Sequence, residues 1–536
     1  MDADRACVTP PPHASLLALA VVALIQGCVA GPDYVAPRAP EVEHYVARPD
    51  GASSPRLARG ARPRADWWTG FGSPTIDRLV ADALARSPTL DAAHARLAAA
   101  NAQLAAQRGL RYPTVDASAS LSRRAGAGGT TASGTTASDT TPSDAAPDVG
   151  TAGGASRTAG SASAYTVFTA GASVRYDVDP FGRVDRLVEA AAALAIAERA
   201  RVSAAWLSVA GNVVATALDV AIAQALIVAR EELLEGQRER LSLLDTQYRE
   251  GALARADVLA ARTEVSVLRA ELPPLRLRLQ RGRHRLAELT GRAPSTIGAI
   301  DIRLDALKVP DVVPLVLPST LVRERPDIVA AESALAAANA RIGIATADLY
   351  PRLSLDGPLG RVAVDTGGAT LWGSTWALGA NLLAPLLQGG RLAALRDAAL
   401  ADYRARLADY RSTVLAALRE VADGIRALEH NADAVAARQV ALANARESLS
   451  LANFRLRQGV ASVIDVLTVE RRYQESLIAS IDTLGQRLQD AAALYAALGR
   501  SPLSEDAIGA ARLDRLLRTT ADALERGVAP ASVVAR

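Results

Sequence analysis

Gly251-Ala252-Leu253-Ala254-Arg255-Ala256-Asp257-Val258-Leu259 returns 208 residues later as Gly459-Val460-Ala461-Ser462-Val463-Ile464-Asp465-Val466-Leu467. Glycine opens both copies, and Asp-Val-Leu closes both after the same gap. On the amino-terminal side of the first copy no proline interrupts Arg183 to Tyr248, and Ile227, Leu234, Leu241 and Tyr248 recur every seven residues. On the other side Val258, Val265, Leu272, Leu279 and Leu286 keep the same heptad rhythm. Apolar residues at that spacing line one seam of an antiparallel coiled coil, so Gly251 marks a hairpin turn. About 65 helical residues reach roughly 100 Å, beyond any ordinary globular domain. Pro273-Pro274 remove two helical donors and are expected to kink the returning arm. The second copy runs from Arg391 to Arg457, turns near Gly459 and returns to Leu498-Gly499.

Moving outward, the offset of 208 also pairs Gly171-Ala172 with Gly379-Ala380 and Gly182-Arg183 with Gly390-Arg391. Earlier in each copy the offset is 238, pairing Ala98-Ala99-Ala100-Asn101-Ala102 with Ala336-Ala337-Ala338-Asn339-Ala340, and Tyr112-Pro113 with Tyr350-Pro351. Two halves of one design account for 536 residues that would otherwise suggest three or four domains. The 30 extra residues of the first half fall in the Gly/Ala/Ser/Thr tract 124–164, too poor in apolar surface to order itself and expected as a long loop. The matching place in the second half holds only Asp356 to Thr370, so both read as hairpin tips.

Each half thus reads helix, strand, loop, strand, long helix, turn, helix. Val115, Ala117, Ala119 and Leu121 alternate with Asp116, Ser118, Ser120 and Ser122, the period of a two-faced strand. The return strand alternates less cleanly through Tyr165, Val167, Val174, Tyr176 and Val178; the second hairpin offers Leu353, Leu355, Trp372, Trp376, Leu378 and Leu382. Eight of the twenty aromatics lie in or beside these strands, as a transmembrane barrel with interfacial aromatics requires. A soluble hairpin would show the same alternation.

Composition removes other classes. Half the residues are hydrophobic but only 4% aromatic, with alanine supplying much of the total, which suits closely packed helices and excludes disorder over most of the chain. Lys308 is the sole lysine, so no phosphate-loop GK[ST] exists. A formal charge of +3 without a basic stripe speaks against nucleic acid. Neither GxSxG nor HExxH occurs, the five histidines (His13, His44, His94, His284 and His430) lack ligand spacing, and two cysteines support neither a disulfide framework nor a zinc site. No enzyme, metal or cofactor is expected.

Ala14 to Ile25 is apolar apart from Ser15, too short to span a bilayer but suited to a secretory signal. Gln26-Gly27-Cys28 follows and resembles a bacterial lipobox, making 1–27 a signal peptide and Cys28 the lipidated first mature residue. Beyond it no second apolar run of 18 residues is expected, so a membrane would have to be crossed by strands.

Several stretches together resemble the outer-membrane factor lipoproteins of bacterial tripartite efflux systems, the TolC/OprM type. They include Gly31-Pro32-Asp33-Tyr34-Val35-Ala36-Pro37, Trp67-Trp68 with Phe71, and Tyr176-Asp177-Val178-Asp179-Pro180-Phe181-Gly182-Arg183. Arg325-Pro326-Asp327-Ile328, Leu349-Tyr350-Pro351-Arg352-Leu353-Ser354-Leu355, Gly389-Gly390-Arg391 and Tyr495-Ala496-Ala497-Leu498-Gly499 continue it in order. The resemblance implies a mixed α and β membrane channel, a homotrimer whose chains each give four strands to one twelve-stranded transmembrane β-barrel. An α-helical coiled-coil barrel would continue it across the periplasm. The expected segments are a lipidated and equatorial part at 28–75 and a first repeat at 76–292, with its β-hairpin at 113–179 and coiled-coil hairpin at 183–292. An equatorial connection at 293–320, a second repeat at 321–499 with hairpins at 351–384 and 391–499, and an equatorial tail at 500–536 complete them. Implied partners are other copies of the chain, a periplasmic adaptor, an inner-membrane pump of the resistance-nodulation-division class and outer-membrane lipid. A duct for protein export and a non-pore lipoprotein spacer are the alternatives.

The resemblance also places a gate at the periplasmic tips, at the turns of Gly251 and Gly459. Three copies of Asp257 or Asp465 would form an acidic ring favouring cations. Ile464 is the candidate hydrophobic constriction, Thr468 stands where family members often carry another aspartate, and Arg471 is placed to bond between chains in the closed state. Read locally, Ser462-x-x-Asp465 is equally a capping box, and Asp257 a first-turn carboxylate opposing the helix dipole.

Overall fold

The computed structural model describes residues 29–38, 44–46, 56–125, 164–309, 312–316, 318–365, 369–499 and 501. The signal segment 1–27, Cys28, nearly all of the loop at 124–164 and the tail 500–536 apart from Ser501 lie outside them. The chain divides into two compact units.

The first unit takes the described residues within 1–31, 106–185 and 343–394. Its strands are β2 (Thr114–Ala125), β3 (Ala164–Val178), β5 (Arg352–Asp365), β6 (Thr370–Trp376) and β7 (Gly379–Leu383). They form one antiparallel sheet in the order β2-β3-β5-β6, with β7 also paired to β5. The register separates chemistry by face. Rows such as Leu121↔Phe168↔Ala363↔Trp372, Ala117↔Ala172↔Leu359↔Trp376 and Val178↔Leu353↔Leu382 make one face apolar. On the other, Arg175 Nε donates to Asp356 Oδ1 at 3.0 Å, and Ser120 and Thr169 share a 2.6 Å hydroxyl bond.

Strand parity corrects two expectations. Val174, Tyr176 and Val178 line the apolar face, but β3 runs unbroken, so Tyr165 and Val167 fall on the polar one. Asp356 to Asp365 is strand rather than tip. Gly360 faces Gly171 across the ladder, where a Cβ on Gly171 would meet the Leu359 carbonyl at 2.6 Å. That closeness explains glycines inside a strand. β6 and β7 pair with β5 in one continuous register, as a single interrupted strand, so Trp376 and Leu382 share a face.

The second unit takes the described residues within 32–105, 186–342 and 395–536. Helices α1 (Pro74–Arg86) and α2 (Pro88–Gly109) precede the first hairpin. α3 (Arg183–Arg249), whose first residues belong to the sheet-containing unit, and α4 (Arg255–Leu289) form the first coiled-coil hairpin. After α5 (Pro318–Glu324) and α6 (Pro326–Ala347), α7 (Arg391–Arg457) and α8 (Val463–Leu498) form the second. α4 stays helical through Pro273 and Pro274, whose missing N–H groups leave the Arg269 and Ala270 carbonyls without their helical donors. A parallel pair, β1 (Arg56–Arg59) with β4 (Val312–Leu315), joins the equatorial segments.

The main core draws Val213, Leu218, Leu286, Ile425, Leu488 and Leu494 from the four long helices onto a belt of Trp67, Trp68 and Phe71. Trp67 stacks on Tyr495 at 6.0 Å between centroids, and Trp68 packs on Trp206 at 5.6 Å. Two glycines are notches: a Cβ on Gly485 would stand 2.6 Å from Ile222, and one on Gly282 2.7 Å from Val220. The heptad reading holds for Leu234, Val258, Leu272 and Leu286, all buried, but Tyr248 is exposed. The expectation of no further long apolar run is corrected by α3, which carries an 18-residue window of mean hydropathy 1.8, 56% of it buried in this core. Packing between helices accounts for it.

Candidate functional site

The two helical turns define the candidate gate. Gly251 (φ +77°) and Gly459 (φ +71°) occupy the left-handed region that favours glycine. The same six-to-one bond closes each helix, Ala252 N–H to the Gln247 carbonyl at 2.9 Å and Val460 N–H to the Arg455 carbonyl at 3.0 Å. Leu244, Ala261 and Val463 are buried together, with Leu253, Leu456 and Leu467 packed around them, so the two hairpins support each other here.

Beyond the turns the copies diverge. Asp257 is half-buried in the first turn of α4, and its N–H donates to the Ala254 carbonyl at 3.2 Å; Ala254 provides no side-chain cap. Ser462 caps α8 reciprocally with Asp465: the Asp465 N–H donates to Ser462 Oγ at 3.2 Å. The Ser462 N–H and hydroxyl donate to Asp465 Oδ2 at 2.9 and 2.7 Å. These bonds from Ser462 hold the exposed Asp465 carboxyl below the usual aspartate range. One oxygen is thereby committed to the cap, and the charge is kept in water. Ile464, next to it, is 59% exposed. Thr468 spends its hydroxyl on the Ile464 carbonyl at 2.9 Å. Arg471 reaches Glu264 on α4 at 3.4 Å, a pair inside one chain where a bond between chains was expected.

A polar layer lies deeper along α8. Glu470 is only 6% exposed and pairs with Arg240 on α3, while Arg240 Nη2 donates to Asn453 Oδ1 on α7 at 3.3 Å. Gln237 and Gln474 are buried one turn away from these residues along their own helices, Gln237 with both amide atoms and Gln474 with Nε2 lacking a hydrogen bond. Burial pushes the Glu470 carboxyl above its ordinary value, and Arg240 opposes that shift without cancelling it. This layer went unread in the sequence. The available signal was Glu470 and Gln474 at seam positions between Val466 and Leu488, where apolar residues belong.

Among the described residues no group of His, Cys, Asp or Glu could hold a metal ion. Among the described residues these side chains cap α8 and pair charges between the helices.

A family model described as outer membrane efflux protein matches residues 79–292 and 317–500. The antibiotic efflux pump outer membrane protein ArpC of Pseudomonas putida is 29% identical over 488 residues, 90% of this chain and 95% of that one. The pyoverdine export outer membrane protein OpmQ of Pseudomonas aeruginosa is 30% identical over 469 residues, 85% and 92% of the two chains. Among solved structures, the outer-membrane channel OprN superposes with a TM-score of 0.75 at 28% identity, covering 88% of this chain and 99% of that one.

Proposed function

The chain belongs to the outer membrane efflux protein family, and on that premise we propose how this outer-membrane efflux channel is assembled and gated. With β6 and β7 counted as one interrupted strand, each sheet gives four strands; three copies close them into one twelve-stranded barrel, and their helical hairpins continue the passage through the periplasm. The observation that carries this reading is the sheet itself. One face is mostly apolar, the other holds Arg175, Asp356, Ser120 and Thr169, and among the described residues its outer strands β2 and β6 each have an edge without a partner strand. Lipid tolerates no open edge, so copies must supply the missing neighbours.

The duct carries small toxic compounds outward, with a periplasmic adaptor and an inner-membrane pump supplying selection and energy. Cys28 bears the lipid that anchors the mature chain. At the tips Asp465 both caps α8 and contributes to an acidic ring with Asp257, while Ile464 narrows the closed passage and the Arg471–Glu264 pair fixes α8 to α4. The test is accumulation of an efflux dye in cells lacking their own channel, together with palmitate labelling. Expression of the chain restores export, and Cys28→Ala abolishes labelling and loosens membrane association. A wild type that takes up no palmitate, with Cys28→Ala fractionating unchanged, would sink the anchor; no export beside a matched adaptor and pump would sink the duct.

A further inference from the structure

One row of the apolar sheet face breaks its pattern. Ala119, Ala170, Arg361 and Ser374 stand in register, between the row that ends in Trp372 and the row that ends in Trp376. Arg361 is exposed, and among the described residues it makes no hydrogen bond or ion pair. The apolar band along β5 runs from Leu353 to Ala363. Ten residue-to-residue steps at about 3.3 Å each, tilted as in a barrel, span about 25 Å, the height of a lipid-facing band. Arg361 lies one row, about 7 Å along the strand, from the hairpin-tip end of that band.

This placement rests on the barrel reading given above, which turns this face to lipid and the hairpin tips to the exterior. A lone guanidinium in hydrocarbon is costly, but its stem is long enough to carry the charge to the headgroup level. On the same face Trp372, 69% exposed, lies one row nearer the tip, beside that path, and Trp376, 81% exposed, one row on the other side of Arg361, both aromatic groups of the interfacial kind. A cation without a protein partner, set just below the headgroups between two indoles, calls for a membrane anion. We propose that Arg361, flanked by Trp372 and Trp376, binds the phosphate of an outer-leaflet lipid headgroup.

The test is native mass spectrometry of the purified full chain, titrated with lipid A carrying its phosphates and with the same lipid dephosphorylated. Wild type retains the phosphorylated form about tenfold better. Arg361→Gln loses that preference, and Arg361→Lys keeps part of it, as expected for one charge-assisted hydrogen bond. Equal retention of both lipids by wild type, which needs no variant to fold, would overturn the site. So would undiminished preference in Arg361→Gln, or displacement by millimolar inorganic phosphate, which would mark a free-anion site. Bilayer conductance separates this idea from its premise: Arg361→Gln conducts like wild type, whereas a silent wild type overturns the barrel reading itself.

Discussion

Gly485 offers a close test of the helical packing. Its α-carbon faces Ile222, and a methyl group there would lie 2.6 Å from both Cδ1 and Cγ1 of a side chain only 3% exposed. Relief to ordinary contact requires a movement of about 1 Å in a close-packed core. Overpacking of this kind costs about 1–3 kcal/mol, while replacing a helical glycine by alanine returns about 1 kcal/mol. Gly485→Ala is therefore neutral to about 2 kcal/mol destabilising on those two terms. Gly236, exposed in the middle of α3 with nothing within 4 Å of an added Cβ, isolates the helix term. Gly236→Ala gains about 0.5–1 kcal/mol. Urea unfolding of the detergent-solubilised protein, followed by circular dichroism, places the midpoint of Gly236→Ala above wild type and that of Gly485→Ala below Gly236→Ala. Ile222→Val, which removes Cδ1, narrows the gap in the Gly485→Ala background. Equal midpoints for the two glycine variants would refute the notch.

Arg240→Met leaves the buried Glu470 carboxylate unpaired and should cost about 3–5 kcal/mol, whereas Arg240→Met with Glu470→Leu should recover most of that loss; chemical denaturation of both variants decides. The two tip carboxyls respond to pH in opposite directions. Asp465, held below its ordinary value by Ser462, stabilises α8 above that value and loses this contribution as pH falls through its folded value. Glu470, raised by burial, loses stability as pH rises from the ordinary glutamate value through its own. Hydrogen exchange of the first three turns of α8 should therefore lose the lower dependence in Ser462→Ala and the upper one in Glu470→Gln; an unaltered profile in either variant contradicts its assignment. Trp67→Ala, which unstacks Tyr495 and opens the equatorial belt, should cost about 3–5 kcal/mol, and Trp67→Phe less.

Much of this fold is legible because it is written twice. The matching glycines locate both helical turns, and the heptads between them identify most of the buried seam. The losses have physical causes. Tyr248 keeps the heptad spacing but sits one residue before the helix end, where the seam has run out of partners. Tyr165 and Val167 look like apolar-face residues until the unbroken pairing of β3 fixes their parity. Asp356 to Thr370 reads as a hairpin tip, yet a close backbone approach explains Gly360 within β5. Four-residue strands such as β1 and β4 are too short to show alternation, and their pairing across 56–59 and 312–315 depends on contacts distant in sequence. At the candidate gate, Ser462-x-x-Asp465 correctly suggested a cap. The partner of Arg471 could not be read, because Glu264 lies 207 residues away on another helix.

Planar-bilayer recording of the purified protein, wild type against Asp465→Asn, tests the central claim most directly. Discrete, cation-preferring conductance steps are expected in wild type, and weakened cation preference in the variant. Silence from an intact oligomer would contradict the duct, and steps whose selectivity ignores Asp465 would leave that residue a helix cap alone.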